Sequence, residues 1–544
     1  MGALSGMLCV MKSMRIPILI AALGVVAACG GAGESGDATS VLNRGISTEP
    51  ESLDAHRARS TQAADVLRDI GEGLVSYTAS GELTPGVAES WELSDDGLTY
   101  TFHLRANAKW SNGEPVTAGH FVFGLRRLVT PATAAFYAQM LADVSNAAQV
   151  TAGDMPPSAL GVTAIDDQTL VIKLDRPTPY LISLLTHPAT FPMYPASIEE
   201  HGDAFARAGN LLSNGAYVLA GWIPGSVITL HRNEHYWNNA ATAIDEVQHH
   251  VLTQEMTELA RYRAGEIQVT SSVPPESFEQ VRSELGDQLH ISPYLGVYYY
   301  GYNLIKPPFS GSPALRQALS MAIDRDLLVE KITGRGESPA YSWVPPGVDN
   351  YEPTVFSYAL LSQDERNNIA QGLYEEAGYS AQSPLQLELR YNTSDTQRRV
   401  ALAIQSMWHD VLGVKTKLIN EEFQVLLANM RDREITQVFR SSWMGDYNDA
   451  HTFLSIMQAG NSANMPAYNS EEYDSLMKRA AEQVDLGRRR LYLEEAERVM
   501  LADHPVIPIY FYVSKHLVSP QVQGWGDNVL DYHYSQHLSL KAAE

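Results

Sequence analysis

The length of this chain is the feature that most restricts its fold. A single hydrophobic core stops growing at roughly 250–300 residues, and the chain has 544. Two or three domains, each with its own core, are therefore expected. Apolar residues make up 45% of the chain and charged residues 19%, a composition typical of globular proteins and not of disordered ones.

The chain is strongly acidic, with a formal net charge of −24 at pH 7. An acidic surface repels the phosphates of nucleic acids and of anionic lipid headgroups. Nucleic-acid binding and non-specific adsorption to an anionic membrane are therefore not expected. The charge alone is typical of a soluble protein kept dispersed by self-repulsion.

The first 28 residues have the pattern of a signal peptide. Lys12 and Arg15 precede an apolar run at 16–26, which is too short to cross a bilayer comfortably. Small residues then lead directly into Cys29, a pattern similar to the bacterial lipobox, in which the cysteine is lipidated and becomes the first residue of the mature protein. The alternative is an ordinary secretory signal with an incidental cysteine.

Residues 29–40 are expected to form a tether between the lipid and the folded body. Gly31, Gly33 and Gly36 match the spacing of a dinucleotide-binding fingerprint, but no strand precedes them and no helical pattern follows. The glycine-rich composition is that of a flexible linker. We therefore predict a protein of the cell envelope that faces the periplasm and is lipid-anchored, with the inner or outer membrane left open.

The folded body offers no familiar catalytic or metal-binding motif. Cysteine occurs only at positions 9 and 29 of the chain, so the body has no disulfide, no cysteine-based zinc site and no thiol nucleophile. His249 and His250 are adjacent and would point apart in any regular element, and His533 and His537 have only Asp531 nearby in sequence. No metal site, no cofactor and no enzymatic activity are expected.

Hydrophobic periodicity predicts an α/β organisation. Alternation of apolar residues predicts strands, whereas recurrence at three and four residues predicts helices. The charged helix that contains Arg488, Arg489 and Arg490 is expected to present these arginines on a solvated face. Strands are predicted over 99–104 and 414–418, and helices over 63–70, 118–128, from Ser312-Pro313 onward, over 398–412 with Gly413 as the cap, and over 485–501.

A polar segment at 440–447 follows an apolar, strand-like run at 435–439. It carries one acid, Asp446, between Trp443 and Tyr447. Taken alone, such an acid is an ordinary loop carboxylate. Its significance depends on the rest of the chain.

Several motifs together resemble the family 5 bacterial solute-binding proteins, the large peptide-binding components of ABC importers. The resemblance is specific to the oligopeptide-binding branch of that family and covers the chain from Val41 to its C-terminus. The motifs that carry it are Pro85–Trp91, Tyr100–Arg105, Lys109–Gly113, Val116–Ala118, Leu170–Pro179, Asn214–Tyr217, Arg232–Asn233 with Tyr236-Trp237, Arg261–Ile267, Pro293–Tyr300 and Ala318–Arg325.

The resemblance implies an α/β fold with two lobes, similar to class II periplasmic binding proteins, with an additional inserted domain and mixed β-sheets flanked by helices. Lobe I would be split into residues 29–61, 195–296 and 514–544. The inserted domain II would comprise residues 62–194, and lobe II (domain III) residues 297–513. The two connections near 296 and 513 would form the hinge about which the lobes close on a ligand.

In that branch an extended peptide lies between the lobes and adds as a strand to protein backbone. The resemblance places the backbone contacts at 49–51 and 441–444 and assigns Asp446 to the peptide α-ammonium. The ligand-binding residues implied in this way are Glu49, Tyr137, His187, Phe423, Arg431, Arg440, Ser442, Trp443, Met444 and Asp446.

The carboxylate end of the ligand is where the sequence departs from its relatives. Arg440 matches one cationic position of the family, and Arg431 matches another only with a one-residue shift. Gln397 and Thr333 stand where an oligopeptide-binding relative has histidine and lysine. Arg440 has an alternative role, an ion pair with a neighbouring acid, so the preferred length of the peptide is left open.

The function implied is capture of short oligopeptides and their delivery to the permease subunits of an ABC transporter, by a protein expected to be a monomer. Two alternatives share the same fold. One is binding of murein tripeptide or another peptide-like ligand, and the other is a surface receptor that senses peptides without transporting them.

Overall fold

The computed structural model describes residues 39–434 and 436–541. The predicted signal peptide at 1–28, the lipidation site at Cys29 and most of the tether at 29–40 lie outside these residues. Among the described residues, no helix combines the length and the apolar character needed to cross a bilayer.

The strands of the described chain fall into three larger sheets and two short ladders. The strands are β1 (Val41–Ile46), β2 (Val75–Tyr77), β3 (Leu83–Pro85), β4 (Ala88–Leu93), β5 (Thr99–Leu104), β6 (Val162–Ala164), β7 (Thr169–Lys173), β8 (Tyr217–Ile223), β9 (Val227–Arg232), β10 (Glu246–Val251), β11 (Leu289–Tyr302), β12 (Ser338–Pro339), β13 (Gln386–Asn392), β14 (Lys415–Glu421), β15 (Val438–Met444), β16 (Val506–Leu517), β17 (Val522–Gln523) and β18 (Ser539–Leu540).

Helices lie between many of the strands of the described chain. They are α1 (Thr61–Ile70), α2 (Ala118–Val129), α3 (Ala147–Ala152), α4 (Leu181–Leu184), α5 (Pro195–His201), α6 (Glu255–Arg263), α7 (Phe278–Glu284), α8 (Pro313–Met321), α9 (Arg325–Leu327), α10 (Gln363–Glu376), α11 (Asp395–Leu412), α12 (Phe423–Asp432), α13 (His451–Leu454), α14 (Glu471–Ala481) and α15 (Leu486–Asp503).

The first large sheet has the strand order β1-β10-β9-β8. β1 pairs in parallel with β10, so the start of the folded body is joined to residues about two hundred positions later, such as Leu42 opposite Val247. Both side chains are fully buried, and Val66 and Leu67 of α1 pack into the same core. This packing fixes α1 against the sheet, and residues of both β1 and α1 line the candidate site.

The second sheet has the order β4-β5-β7-β6 and is entirely antiparallel. Its strand β5 buries alternate residues, including Phe102 and Leu104, as expected for a sheet with one face on a core. The apolar face of α2 covers these residues through Phe121 and Leu125. This sheet and its helix form a separate core, which carries Tyr137 and His187 on its border.

The third sheet is mixed, with the order β12-β16-β11-β15-β13-β14. β13 pairs in parallel with β14 and β15, whereas β11 pairs antiparallel with β15 and β16. Helices such as α8, α11 and α15 pack their buried residues against this sheet to form the largest core of the described chain. Trp343 and Trp408, both fully buried, are part of it.

The long ladder between β11 and β16 connects the third sheet to the first part of the fold. It runs from Leu289 opposite Leu517 to Gly301 opposite Val506. Its register shifts between Pro293 and Val297 and again between Tyr298 and Tyr299, so the ladder is irregular at both points. Bulges of this kind bend and twist a strand pair.

The sequence patterns predicted most of these elements. The strand at 99–104 is confirmed, and the predicted helices at 63–70, 118–128 and 398–412 are present with ends that differ by up to three residues. Gly413 adopts a left-handed conformation with φ 72° after α11, as expected for a helix cap. Ser312 precedes Pro313 at the start of α8, although its side chain forms no capping hydrogen bond.

The prediction of a solvated arginine face at 488–490 is wrong for Arg489. That side chain is only 4% exposed and forms two hydrogen bonds of 2.8 Å to the carboxylate of Asp449. α15 also buries Leu493 and Met500 against the third sheet, so it is a core helix. The charge pattern was misleading because a buried arginine paired with an acid reads in sequence like a surface one.

Candidate functional site

The candidate site is a cavity with a volume of about 490 Å³. Most of its lining comes from three parts of the chain: the end of β1 with the loop and first turns of α1, the end of β15 with the segment after it, and the end of β16 with the C-terminal segment after it. Its lining includes charged, aromatic and thioether side chains: Arg44, Asp65, Arg68, Tyr137, His187, Arg335, Met444, Asp446, Tyr512, Lys515, His516, Asp531 and His533.

The start of α1 is held in place by an acid of the preceding loop. The hydroxyl of Ser60 accepts a hydrogen bond from the Ala63 amide at 3.2 Å, which caps the helix. Glu51 accepts hydrogen bonds from the amide of Ser60 at 2.9 Å and from its hydroxyl at 2.5 Å. This arrangement orders the loop at 49–51 against the helix that lines the cavity.

Asp446 lies just beyond the end of β15, at the cavity wall. Its backbone amide donates to the hydroxyl of Thr452 at 3.3 Å, which holds the loop in place. Among the described residues, none donates a hydrogen bond to the Asp446 carboxylate, and no cation lies within 4.0 Å of it. The carboxylate is reached by solvent from the cavity but is surrounded by protein atoms, and this partial burial raises its pKa to about 6.

Tyr137 and His187 form an aromatic wall of the same cavity. Their ring centroids are 4.3 Å apart, and the Tyr137 hydroxyl donates to the carbonyl oxygen of Arg59 at 3.3 Å. Burial, and to a lesser degree the charge of Arg68, lowers the pKa of His187 to about 3. His187 is therefore neutral, in keeping with its Nδ1 accepting a hydrogen bond from the Ala189 amide at 3.2 Å. Asp446 is close enough to contribute to a raised pKa of Tyr137, after the larger effect of burial.

β15 has one free backbone edge. From Val438 to Met444 it pairs with β11 on one side, with Ser442 opposite Tyr298 and Met444 opposite Gly296. On its other side it pairs with β13 only at Val438 and Phe439. Within the described chain, no strand covers the second edge from Arg440 to Met444. The amides and carbonyl groups on that edge are therefore available to a further strand.

Arg440 is a buried cation that has no acidic partner within the described part of the chain. It is 8% exposed and donates to the amide oxygen of Asn392 at 3.2 Å and to the hydroxyl of Tyr512 at 3.0 Å, and its guanidinium lies 4.7 Å from the ring centroid of Tyr298. No carboxylate of the described residues lies within 4.0 Å of it. The alternative role of Arg440, an ion pair with a neighbouring acid, is thus not what the geometry favours.

The side chains that follow Arg440 in β15 alternate between the two faces of the sheet. Met444 is 37% exposed and lines the cavity. Trp443 points to the opposite face, packs against the core of the third sheet and donates from its indole to the Thr452 hydroxyl at 3.4 Å. Ser442 and Arg440 share the face of Met444 without belonging to the cavity lining.

The remaining sequence-predicted residues lie away from the cavity lining. The Glu49 carboxylate accepts hydrogen bonds of 2.6 Å from the Trp222 indole and from the Gly225 amide. Phe423 and Arg431 lie at the two ends of α12, and both are exposed, Phe423 by 46%. The structure therefore brings together Tyr137, His187, Met444 and Asp446 at the cavity and leaves the other six outside its lining.

Among the cations of the cavity lining that sequence reasoning missed are two that share one acid. The Lys515 ammonium lies 3.0 Å and the Arg335 guanidinium 3.9 Å from the same carboxylate oxygen of Glu337. Two cations share one buried acid, so these three side chains together carry a net positive charge. No local pattern signals it, because Lys515 and Glu337 are separated by 178 positions.

Sequence reasoning also missed a cluster of two histidines and an acid. The Nε2 atoms of His516 and His533 lie 2.8 Å and 3.0 Å from the same carboxylate oxygen of Asp531. His537, which has helical spacing from His533, instead donates from Nε2 to the carbonyl oxygen of Tyr77 at 3.0 Å. The partner of His533 is thus seventeen positions earlier in the chain.

Comparison with known proteins places this architecture in a class. Residues 82–465 match the model for "Bacterial extracellular solute-binding proteins, family 5 Middle". The fold is the two-lobed α/β fold of periplasmic binding proteins, with mixed sheets flanked by helices, as expected from the sequence. The chain belongs to the family 5 bacterial extracellular solute-binding proteins.

Individual relatives extend over nearly the whole chain. The periplasmic oligopeptide-binding protein OppA of Escherichia coli is 39% identical over 506 residues, which are 92% of each chain. An unliganded open form of the murein tripeptide-binding protein MppA has a TM-score of 0.84 at 37% identity, covering 92% of this chain and 97% of that one. Haemophilus influenzae OppA in complex with RPPGFSPFR has a TM-score of 0.75 at 37% identity, covering 93% and 99%.

Proposed function

We propose that this protein captures short peptides between its two lobes and delivers them to the permease of an ABC importer, without chemical change to the peptide. One observation carries the proposal: the free edge of β15 leads directly to the carboxylate of Asp446, which has no ionic partner among the residues that the structure describes. One similar protein is named for oligopeptide binding and another for murein tripeptide binding, and both names support the same class of ligand.

The free edge from Arg440 to Met444 fits an extended peptide. A strand added to a sheet edge bonds through its main chain, so its side chains contribute little to the pairing itself. This mode suits a protein that accepts many peptide sequences. Ser442, exposed in part, and Met444 at the cavity wall provide backbone for such pairing.

Asp446 fits the α-ammonium of the peptide. A carboxylate surrounded by protein atoms is poorly solvated, and its raised pKa of about 6 expresses that. An ammonium group replaces the missing solvation and forms a charge-assisted hydrogen bond. Tyr137, on the same wall, would bound the first residue of the peptide, since its ring packs at a tilt against His187, with the ring centroids 4.3 Å apart.

Arg440 fits the carboxylate of the peptide. It retains full charge, is held by the neutral groups of Asn392 and Tyr512, and faces no acid of the described chain. A strand rises about 3.3 Å per residue, so the four steps from Arg440 to Met444 correspond to roughly 13 Å of paired peptide. The proposal therefore favours short peptides over long ones.

The domain arrangement that the family resemblance implies is part of the proposal. Lobe I would comprise 29–61, 195–296 and 514–544, domain II 62–194 and lobe II 297–513. The interrupted register between Pro293 and Val297 of β11, opposite Val513 and Phe511, lies at both proposed connections. A bend at this point of the ladder supports its use as the hinge.

Attachment at Cys29 completes the proposal. The lipid would hold the protein at the membrane that contains or faces the permease, with the body acting as a monomer. Metabolic labelling with a palmitate analogue tests the anchor: labelled wild type and unlabelled Cys29→Ser support it, whereas a labelled serine variant contradicts it.

A second candidate ligand is murein tripeptide. The observation that favours it is the similarity to the open form of a murein tripeptide-binding protein. Both candidates have a free amino group, so Asp446 does not discriminate between them. Competition does: displacement of murein tripeptide by unrelated tripeptides at similar concentrations supports the general peptide binder.

Isothermal titration with di- to pentapeptides and their N-acetylated forms tests the proposed function. We expect tight binding of the free peptides and strong loss on acetylation, because the acetyl group removes the charge that Asp446 would pair. Native mass spectrometry of the purified protein should show bound peptides of unaltered mass. Equal affinity for free and acetylated peptides contradicts the role of Asp446, and cleaved peptides after long incubation contradict a pure binding function.

A further inference from the structure

A cluster of two histidines and one acid lies on the cavity wall. In sequence it is well separated from the proposed peptide edge of β15. His516 is close to the end of β16, and Asp531 and His533 belong to the segment that follows. One ligand atom from each, two ring nitrogens and one carboxylate oxygen, lie within 4.8 Å of one another. Their side chains are 12%, 27% and 7% exposed, so the cluster is largely shielded and still reached from the cavity.

The ring orientation of His516 is fixed by a hydrogen bond on its other nitrogen. Nδ1 lies 2.8 Å from the carbonyl oxygen of Thr270, which only accepts, so Nδ1 carries a hydrogen. A neutral His516 then has its lone pair on Nε2, aimed at the Asp531 carboxylate oxygen at 2.8 Å. Two lone pairs at that distance repel each other, so a positive particle, a proton or a metal ion, must lie between them.

His533 is held from the other side. Its ring stacks on the indole of Trp525 with centroids 3.7 Å apart and an angle of 16° between the planes. Its Nε2 lies 3.0 Å from the same oxygen of Asp531. Both rings are therefore fixed by contacts outside the cluster, with their free nitrogens converging on one carboxylate.

We propose that His516, Asp531 and His533 bind a divalent transition metal ion of the zinc class through two Nε2 atoms and the carboxylate. Zinc bonds to imidazole nitrogen and carboxylate oxygen are about 2.0–2.2 Å long, which separates tetrahedral ligand atoms by roughly 3.3 Å. The observed separations of 2.8 Å and 3.0 Å need to widen by only a few tenths of an ångström. A carbonyl that orients the distal nitrogen of a ligating histidine, as Thr270 does, is the usual partner of such a site.

The donor set selects the metal and leaves one position open. Two imidazoles and a carboxylate suit zinc, nickel, copper or cobalt, whereas calcium and magnesium prefer oxygen ligands alone. Three protein ligands leave the fourth tetrahedral position free, as in zinc sites that take an exogenous ligand. Asp531 and both rings line the cavity, so that position opens toward it. The site stands on these three residues alone and does not depend on the proposed peptide binding.

The nearby arginine does not prevent binding of a cation. Arg44 donates to the carbonyl oxygen of His533 at 2.7 Å and to the Ser535 hydroxyl at 2.8 Å. Its guanidinium also lies 4.0 Å from the buried carboxylate of Asp69, which offsets its charge. The arginine thus acts on the backbone beside the cluster and positions His533.

Titration of the full mature protein with zinc chloride alone, after removal of bound metal with EDTA, tests the proposal. We expect one zinc ion per chain, and an absorption band of tetrahedral type when cobalt replaces zinc. His516→Ala and His533→Asn should each weaken zinc binding by more than the roughly 10–100-fold that loss of an outer hydrogen-bond partner of a ligand causes.

His409→Ala is the matched control. His409 is 71% exposed on α11 and contacts only one acid, Asp410 at 3.0 Å, so it offers an incomplete ligand set. Its variant should bind zinc as the wild type does. Circular dichroism verifies folding, and if His516→Ala fails to fold, His533→Asn decides. No zinc uptake by the wild type, or equal affinity in the folded cluster variants, overturns the proposal.

Discussion

Asp446 and Arg440 bear opposite charges near the two ends of the same stretch of β15, and neither has an ionic partner among the described residues. Asp446 lies at the cavity wall and responds to its surroundings by a pKa raised to about 6. Arg440 is buried, cannot lose its proton and is instead held by Asn392, Tyr512 and the face of Tyr298.

The difference shows how one strand can prepare two kinds of ligand recognition. A carboxylate can stand at an accessible position without an ionic partner, because protonation relieves the cost of its desolvation. A guanidinium cannot lose its charge in this way, so it needs neutral hydrogen-bond acceptors and an aromatic face to remain buried. We therefore expect the amino end of a ligand to be recognised more strongly and more pH-dependently than its carboxylate end.

The largest effect is expected for Asp446→Ala. The closed lobes would bury the pair of Asp446 and the peptide ammonium. Removal of one partner of a buried charge pair costs about 3–5 kcal/mol, so peptide affinity measured by isothermal titration should fall by up to that amount. N-acetylated peptides, which lack the ammonium, should bind wild type and variant equally. Asp154→Asn, an exposed acid outside the cavity, is the control and should leave affinity unchanged. A similar loss for acetylated and free peptides would mean that the substitution acts on the fold.

A smaller effect is expected for Arg440→Met. The methionine keeps much of the apolar stem, and loss of a hydrogen bond to a charged group costs about 1.5–3 kcal/mol, here in affinity for peptides with a free carboxylate. C-terminally amidated peptides should bind wild type and variant alike. Chemical denaturation should show little loss of stability, because Arg440 has only neutral partners to leave behind. Loss of affinity for amidated peptides as well would place the carboxylate elsewhere, with Arg335 and Lys515 as the next cations to replace.

The pH dependence of affinity distinguishes the two ends further. Below pH 6 the Asp446 carboxylate becomes protonated and no longer pairs with an ammonium, so affinity should fall by at most about 1.4 kcal/mol per pH unit. Stability changes with the opposite sign: a carboxyl with a raised pKa in the folded state binds protons more tightly there than when unfolded, so acidification through this range favours the fold. Weaker binding near pH 5 is therefore not explained by unfolding at this residue.

Asp446→Asn serves as the control for that titration. The variant cannot ionise at this position, so its residual affinity should be flat between pH 7 and pH 5. Tyr137, with its raised pKa, and His187, with a pKa of about 3, do not change charge in this range. A slope that persists in the asparagine variant would assign the effect to another group.

Sequence patterns were most informative where the chemistry is local. The alternation at 99–104 and the apolar spacing before Gly413 depend on neighbouring residues, and both elements form as predicted. The position of Asp446 at the end of a strand was also readable once the family resemblance gave the segment a role. That Asp446 has no ionic partner among the described residues could not be predicted from the sequence, because it depends on the placement of every other charged side chain.

The rest of the site depends on contacts between distant parts of the chain. Arg489 looked like a surface residue because its partner Asp449 lies forty positions earlier. Likewise, His516 meets Thr270 from 246 positions away, a contact that no local pattern encodes. The free edge of β15 arises because β13 stops pairing after Arg390, which reflects sheet geometry and not composition.

The smallest effect is expected for Phe423→Ala. This variant tests whether the recognition surface extends beyond the two ends of the free edge of β15. The family resemblance assigns Phe423 to the ligand, but in this structure it is 46% exposed at the start of α12 and lies outside the cavity lining. Substitutions on an exposed surface usually change free energies by less than about 0.5 kcal/mol, and peptide affinity should change by no more than that. A loss of tenfold or more, with unfolding unchanged, would instead show that closure of the lobes brings α12 onto the peptide. The recognition surface would then extend beyond the edge that Asp446 and Arg440 delimit.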